Sequence, residues 1–285
     1  MSNVPPKTLK TPPPSHGPEV ILSYPLPHLL VITLNRPNNM NSMSPSLRAD
    51  LGVVLDWFDT EPDLWALIVT GAGRAFCAGA DLKGWRTKQL AGTDTDVVES
   101  LLSKHGFAGL SRRQSTKPII AAANGDAYGG GFEILLNCDL VVANEKARFG
   151  LPEAHVGVTV GAGGLERLVR TAGRQRAAEL LLTAKSISAA DARERFGFVN
   201  LVVPADEVLP TAIKLAETII DNSPDSIRST KRAMNETMLH GNIEEAYRSH
   251  ILSPESQAVY VGDNIKEGLN AFANRRRPNW TNPKL

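Results

Sequence analysis

Cysteine is scarce in this chain of 285 residues: only Cys77 and Cys138 occur. Two thiols cannot build a disulfide framework, and both stand in apolar stretches where a small buried side chain is the expected reading. An intracellular, reducing compartment fits. An excess of charge is lacking as well, since 31 basic side chains face 30 acidic ones. No global field draws such a protein to nucleic acid or to an anionic membrane, so neither is expected as a partner, and any anionic ligand must be held locally. Long apolar runs are missing: none approaches the roughly 20 residues that a bilayer requires, and the N-terminus has no hydrophobic signal core. The chain reads as soluble and not secreted. Metal-ligand spacing is lacking too, because His16, His28, His105, His155, His240 and His250 form no HExxH and no paired ligands. No metal is expected.

What is present is a globular composition, 42% hydrophobic and 21% charged, in a chain long enough for one large domain or two modest ones. Residues 1–17 hold five prolines, two lysines and no arginine. That spoils the amphipathic helix of a mitochondrial presequence and reads as a disordered tail. The final Pro283-Lys284-Leu285 differs by one residue from the Ser-Lys-Leu peroxisomal address. A peroxisome is therefore one expected location, with cytoplasm or mitochondrion as the alternatives.

Residues 19–24 and 29–34 are short apolar and β-branched runs split by Pro25 and Pro27, expected as two paired strands. Ser44-Pro45 supplies a capping hydroxyl and a proline at the first helical position, after which Leu47, Leu51, Val54, Leu55 and Phe58 recur at helical spacing. Residues 65–70, 119–124, 140–143 and 198–203 read as further strands. Ser188 with Asp191 resembles a capping box. The expectation is an α/β core over residues 18–204 and a helical C-terminal region over residues 205–285, in which Ser223-Pro224 opens a helix.

Two segments join a strand to a loop of small residues and then to a helix: Ile68-Val69-Thr70-Gly71 leading to Phe76-Cys77-Ala78-Gly79-Ala80-Asp81-Leu82-Lys83, and residues 120–124 leading to Gly129-Gly130-Gly131-Phe132-Glu133. Small residues let a ligand oxygen come within hydrogen-bond distance of main-chain nitrogen. Two such donors on one oxygen make an oxyanion hole; a glycine triplet alone is equally a plain turn. Glu133 sits three residues past Gly130 in an apolar run, where burial would raise its pKa toward neutrality. Glu153 follows Phe149-Gly150-Leu151-Pro152 in the first turn of an expected helix, where a carboxylate also complements the macrodipole.

These segments resemble the signatures of the enoyl-CoA hydratase/isomerase, or crotonase, family. Phe76 to Lys83 is similar to the first, Asn124 to Glu133 to the second, and Phe149 to Glu153 with Gly161-Ala162-Gly163-Gly164-Leu165-Glu166-Arg167-Leu168 to the third. Leu34-Asn35-Arg36-Pro37 and residues 272–280 match the opening and closing segments. The resemblance implies a crotonase-like α/β spiral of ββα turns with a helical C-terminal trimerisation region, assembled as a homotrimer or a dimer of trimers. It implies an acyl-CoA substrate and no separate cofactor, coenzyme A being part of the substrate. It also implies that Ala80 and Gly130 donate backbone N–H groups to the thioester oxygen. Ala78, Ala80, Asp81, Leu82, Lys83 and Gly130 would lie against coenzyme A or the acyl group, with residues 85–109 lining the pocket. Glu133 would orient and deprotonate the attacking water, and Glu153 would exchange a proton at C2. Both acids together imply a hydratase, with an isomerase or a dehydratase of a branched 3-hydroxyacyl-CoA as alternatives and a noncatalytic or RNA-binding trimer as the reading of another class. Two departures stand out: Asn38-Asn39 where many relatives place a lysine along coenzyme A, and Val160 for a proline before Gly161. His155 is expected as a structural histidine, and Arg275-Arg276-Arg277 either meets phosphates or ends a helix in solvent.

Overall fold

The alternation of side chains along the strands decides the architecture. In β2 (Leu29–Leu34), Leu30, Ile32 and Leu34 enter one apolar core while Leu29 and Val31 enter another. The same division repeats in β3 (Ala66–Gly71), β5 (Ile119–Ala123) and β7 (Leu140–Asn144), so these strands are buried on both faces, as parallel strands require. With β1 (Val20–Ser23) at one edge and β10 (Leu201–Val203) at the other, they form a six-stranded sheet in the order β1-β2-β3-β5-β7-β10, parallel except for β1. The computed structural model on which this description rests covers residues 3–81, 86, 90 and 103–284.

The strands between them go elsewhere. β4 (Ala75–Cys77), β6 (Asp126–Tyr128), β8 (Arg148–Gly150) and β9 (Ser186–Ser188) form a second, four-stranded sheet in that order. The chain thus lays one strand in each sheet per turn, β3 then β4, β5 then β6, β7 then β8, and closes the second turn with the helix Gly130–Asn137. This is the spiral of strand, strand and helix that the resemblance implied. The helix Pro45–Thr60, capped by Ser44 Oγ accepting from Leu47 N, packs Leu47, Leu51, Val54, Leu55 and Phe58 into the first core. Ser188 Oγ likewise accepts from Asp191 N.

Three features differ from the sequence reading. The second sheet lies in segments that read as loops, because its strands are only three residues long and no periodicity develops over that length. The helix Val208–Ile220 belongs to the core rather than to a C-terminal region: Val208, Ala212 and Ala216 cover the second face of the six-stranded sheet, and the outlying helices begin at Pro224–Leu239. The expected disordered tail is also corrected. Lys10 N and Thr11 N donate to Glu61 Oε1 and Oε2 at 2.9 and 2.8 Å, Thr11 Oγ1 adds a third bond at 2.7 Å, and Trp57 Nε1 donates to Thr11 Oγ1 at 3.0 Å. Glu61 is fully buried, and a buried carboxylate must have donors; the tail supplies them.

Candidate active site

Parallel strands β4, β6 and β8 lie side by side, with Cys77 opposite Ala127 and Tyr128 opposite Gly150. Their C-terminal ends therefore face the same way, the position where parallel sheets gather ligands. Within three residues β4 runs into Ala78-Gly79-Ala80, β6 into Gly129-Gly130 and β8 into Leu151-Pro152-Glu153. Gly79 has φ +86°, and a Cβ there would stand 2.8 Å from Tyr128 O and 3.3 Å from Gly130 N, so the first two segments touch. Met43 N donates to Gly79 O and Ala78 N to Met40 O, which fixes the turn. Among the described residues neither Ala80 N nor Gly130 N donates to a backbone carbonyl.

Gly130 opens the helix Gly130–Asn137, placing Glu133 in its first turn, only 3% exposed. Glu133 Oε1 accepts two backbone hydrogen bonds, from Ala162 N and Gly164 N, both at 2.9 Å. A Cβ on Gly164 would come 2.5 Å from Glu133 Cγ, so only glycine permits that approach. Burial pushes the Glu133 carboxyl above the ordinary range; the N–H groups of Gly164 and Ala162 oppose the shift without cancelling it. Glu153 sits on the 3-10 helix Pro152–Val156, and its Oε2 is buried with no hydrogen-bond partner among the described residues. Burial foremost, with the neighbouring charge of Glu133, pushes Glu153 up to about 7. Two carboxyls thus flank the Gly129-Gly130 turn, Glu133 with an oxygen held by two amides and Glu153 with one oxygen that has no partner among the described residues. Such a pair can keep one group as carboxylate while the other exchanges a proton near neutral pH.

The remaining expected contacts divide. Ala78 and Ala80 are half-buried on the turn, and Asp81 lies 3.6 Å from Arg36, which also pairs with Glu19 at 2.8 Å. Leu82 and Lys83 fall outside the described residues, as does most of the segment 85–109. Asn38 and Asn39 are exposed in the 3-10 turn Pro37–Asn39, and Val160 packs half-buried against the core. His155 is exposed, which does not fit the structural role expected of it. Arg276 pairs with Glu267 at 2.6 and 2.7 Å on the surface. Among the described residues no group of three or more His, Cys, Asp or Glu side chains could hold a metal ion, and no helix is long and apolar enough to cross a membrane.

Phe107 lies in the segment 85–109 that the resemblance implied as pocket lining, but no spacing in the sequence singled it out against Gly130. A Cβ on Gly130 would fall 2.5 Å from its ring, so the ring lies directly on that glycine. Phe107 N donates to Ser111 Oγ at 2.8 Å, and Ser111 Oγ donates to Ala162 O at 2.7 Å. A gap of more than twenty residues between Phe107 and Gly130 carries no periodic signal that could have joined them.

This geometry can be set beside known proteins. The sequence profile described as "Enoyl-CoA hydratase/isomerase" matches residues 27–283. The chain belongs to the enoyl-CoA hydratase/isomerase family. Within it, the chain is similar to "Mevalonyl-coenzyme A hydratase sidH" of Aspergillus fumigatus, 44% identical over 93% of this chain and 96% of that protein. It is also similar to "Mevalonyl-coenzyme A hydratase SIDH" of Beauveria bassiana, 40% identical over 97% and 99%. Among solved structures it matches the crystal structure of enoyl-CoA hydratase from Mycobacterium tuberculosis, with a TM-score of 0.82 and 35% identity over 93% of this chain and 99% of that one. The crotonase fold and a hydratase activity follow for this family member.

Proposed function

We propose that this hydratase adds water reversibly, in the syn sense, across the 2,3 double bond of an enoyl-CoA, with Glu133 and Glu153 dividing the proton transfers. In hydration, the Glu133 carboxylate takes a proton from water as the oxygen bonds to C3. The electron pair of the double bond moves toward the thioester, whose oxygen gains negative charge and is met by the N–H groups of Ala80 and Gly130. Glu153, protonated, then gives its proton to C2. In dehydration the steps reverse: Glu153 removes the C2 proton and Glu133 protonates the departing C3 hydroxyl. Coenzyme A enters and leaves with the substrate, so the scheme calls for no further cofactor. The observation that carries this reading is the pair of carboxyls flanking Gly129-Gly130, Glu133 buried with two amide donors and Glu153 half-buried with a buried, unpartnered oxygen.

The acyl group we propose is branched at C3 and hydroxylated, as in mevalonyl-CoA, with loss of water giving the 3-methyl enoyl thioester. Support comes from the 44% and 40% identity to the two proteins named for that substrate, against 36% and 38% to relatives named as enoyl-CoA hydratases. The test is to follow the conjugated thioester absorbance with straight-chain and 3-methyl-branched enoyl-CoAs, and its appearance from the 3-hydroxy forms. The proposal expects the branched, hydroxylated substrate to be favoured in kcat/KM by at least about tenfold, a discrimination that a shaped pocket supplies. Preference for a straight chain contradicts it.

The proposed assembly is a trimer or a dimer of trimers. The outlying helices support this by exposing Ile243, Leu252, Tyr260, Val261, Leu269 and Phe272, each at least 67% accessible, apolar side chains that a neighbouring subunit would cover. Light scattering that returns a monomer contradicts it. The peroxisomal address is proposed for the last three residues. Lys284 Nζ is engaged by Asp263, so a receptor must first draw the tail from that pair. A reporter fused to residues 276–285 that stays diffuse in the cytosol overturns the proposal.

A further inference from the structure

Glu133 is held by amides of the loop Gly161-Ala162-Gly163-Gly164, and something must hold that loop. The Gly163–Gly164 peptide unit is bound at both ends. Its N–H, on Gly164, donates to Glu133 Oε1 at 2.9 Å, and its carbonyl, on Gly163, accepts from Arg167 Nη1 at 2.9 Å. Arg167 Nε donates to Asn137 Oδ1 at 2.7 Å. Asn137 is four residues beyond Glu133 on the same helix, hence on the same face one turn along. Its Nδ2 donates to Leu110 O and Arg113 O at 2.7 and 2.9 Å, which fixes the amide. The bonds close a ring: Glu133, the Gly163–Gly164 peptide, Arg167, Asn137, and the helix back to Glu133.

We infer that Arg167 is a positioning residue for Glu133, acting through the Gly163–Gly164 peptide to present a polarised N–H to the carboxylate. The inference rests on the proposed role of Glu133. A cation bonded to a peptide carbonyl draws electron density toward the oxygen and makes the N–H at the other end a stronger donor. The guanidinium suits this task because its planar fork meets Gly163 O and Asn137 Oδ1 together, which an ammonium would not do in the same geometry. Gly163, at φ +97°, leaves room for it: a Cβ there would stand 2.7 Å from Arg167 Nη1.

Ser111 provides a natural comparison. Its hydroxyl donates to Ala162 O at 2.7 Å and so holds the preceding peptide of the same loop, but it brings no charge. The charged groups around Glu133 are Arg167, which favours the carboxylate, with Glu166 beside it on the helix Gly164–Ala172 and Glu153 on the 3-10 helix, which disfavour it or are disfavoured by it. Arg112 faces Arg167 from the segment beside Ser111, and burial with that like charge pushes the Arg167 pKa down. Arg167 is therefore the cation of the ring, and removing it should alter how readily Glu133 ionises as well as how rigidly it is held.

The experiment is the pH dependence of kcat/KM for hydration of 2-trans-butenoyl-CoA by the wild type, Arg167→Met, Arg167→Lys, Ser111→Ala and Glu133→Gln. The acidic limb belongs to the coupled Glu133 and Glu153 pair, and none of the Arg167 and Ser111 variants alters Glu153. Loss of Arg167 should move that limb to higher pH by about half a unit or more, the direction expected when an opposite charge is taken from a carboxylate. Arg167→Lys should keep the limb near its wild-type position while lowering kcat. Ser111→Ala should lower kcat without moving the limb. Coincident limbs for Arg167→Met and Ser111→Ala overturn the inference and leave Arg167 a loop brace. If Arg167→Met does not fold, Arg167→Gln against Arg167→Lys makes the same comparison. Near wild-type turnover in Glu133→Gln overturns the Glu133 reading itself, whereas an inactive Glu133→Gln beside an unmoved limb in Arg167→Met overturns only the role of Arg167.

Discussion

Gly129 lies directly against Glu153: a Cβ on Gly129 would stand 3.1 Å from Glu153 Oε1. The backbone there, at φ 54° and ψ −129°, is a conformation that L side chains rarely adopt. Gly129→Ala should therefore cost about 1–3 kcal/mol of stability through strain. It should also displace the Glu153 carboxyl, lowering turnover at least about tenfold, in line with loss of a positioned proton donor. Thermal melts and initial rates on the same preparation check both effects. A variant that melts and turns over like the wild type removes Gly129 from the account.

Glu153 should make stability depend on pH. Its carboxyl is raised from 4.5 to about 7 by burial foremost and by Glu133, so the folded protein prefers the protonated form. A raised folded-state pKa gives a stabilising contribution that is complete below the unfolded value and is lost as pH rises through the folded one. Glu153→Gln, which is always neutral, should then melt at increasingly higher temperature than the wild type as pH goes from about 5 to 8, with the two converging at low pH. Parallel melting curves across that range contradict the assignment.

Glu61 is the opposite case. Burial pushes its pKa up, but the Thr11 hydroxyl with the N–H groups of Lys10, Thr11 and Asp63 outweighs burial and holds the carboxyl below the ordinary value. Deleting residues 1–14 should cost about 1–3 kcal/mol, the scale of stranding a buried acceptor. The wild-type advantage should be full at neutral pH and shrink as pH falls through the carboxylate range, because a depressed pKa stabilises only while the group is ionised. Chemical denaturation of the truncated and full chains at pH 7 and pH 4 tests this.

The long, strongly periodic elements were legible. Leu47, Leu51, Val54, Leu55 and Phe58 announced their helix, and the double-sided apolar runs at residues 65–70 and 119–124 announced buried strands. The short strands β4, β6 and β8 were not, because three residues give no period; yet they are what align Ala80, Gly130 and Glu153. The buried position of Glu133 could be read from its apolar neighbours. The ring through Arg167 and Asn137 could not, since no local spacing in the chain reveals that Arg167 reaches back to the Glu133 helix. Composition misjudged the proline-rich tail because it counts residues and is blind to a buried acid elsewhere that needs their amides.

The central claim is that Glu133 and Glu153 each carry a proton in the reaction. The most direct test is the rate of hydration at saturating enoyl-CoA in Glu133→Gln and Glu153→Gln, read from loss of the conjugated absorbance in folded, assembled protein. Each substitution keeps the side chain's size and removes its proton exchange, so each rate should fall at least about 100-fold. Near wild-type turnover in either variant takes that glutamate out of the mechanism.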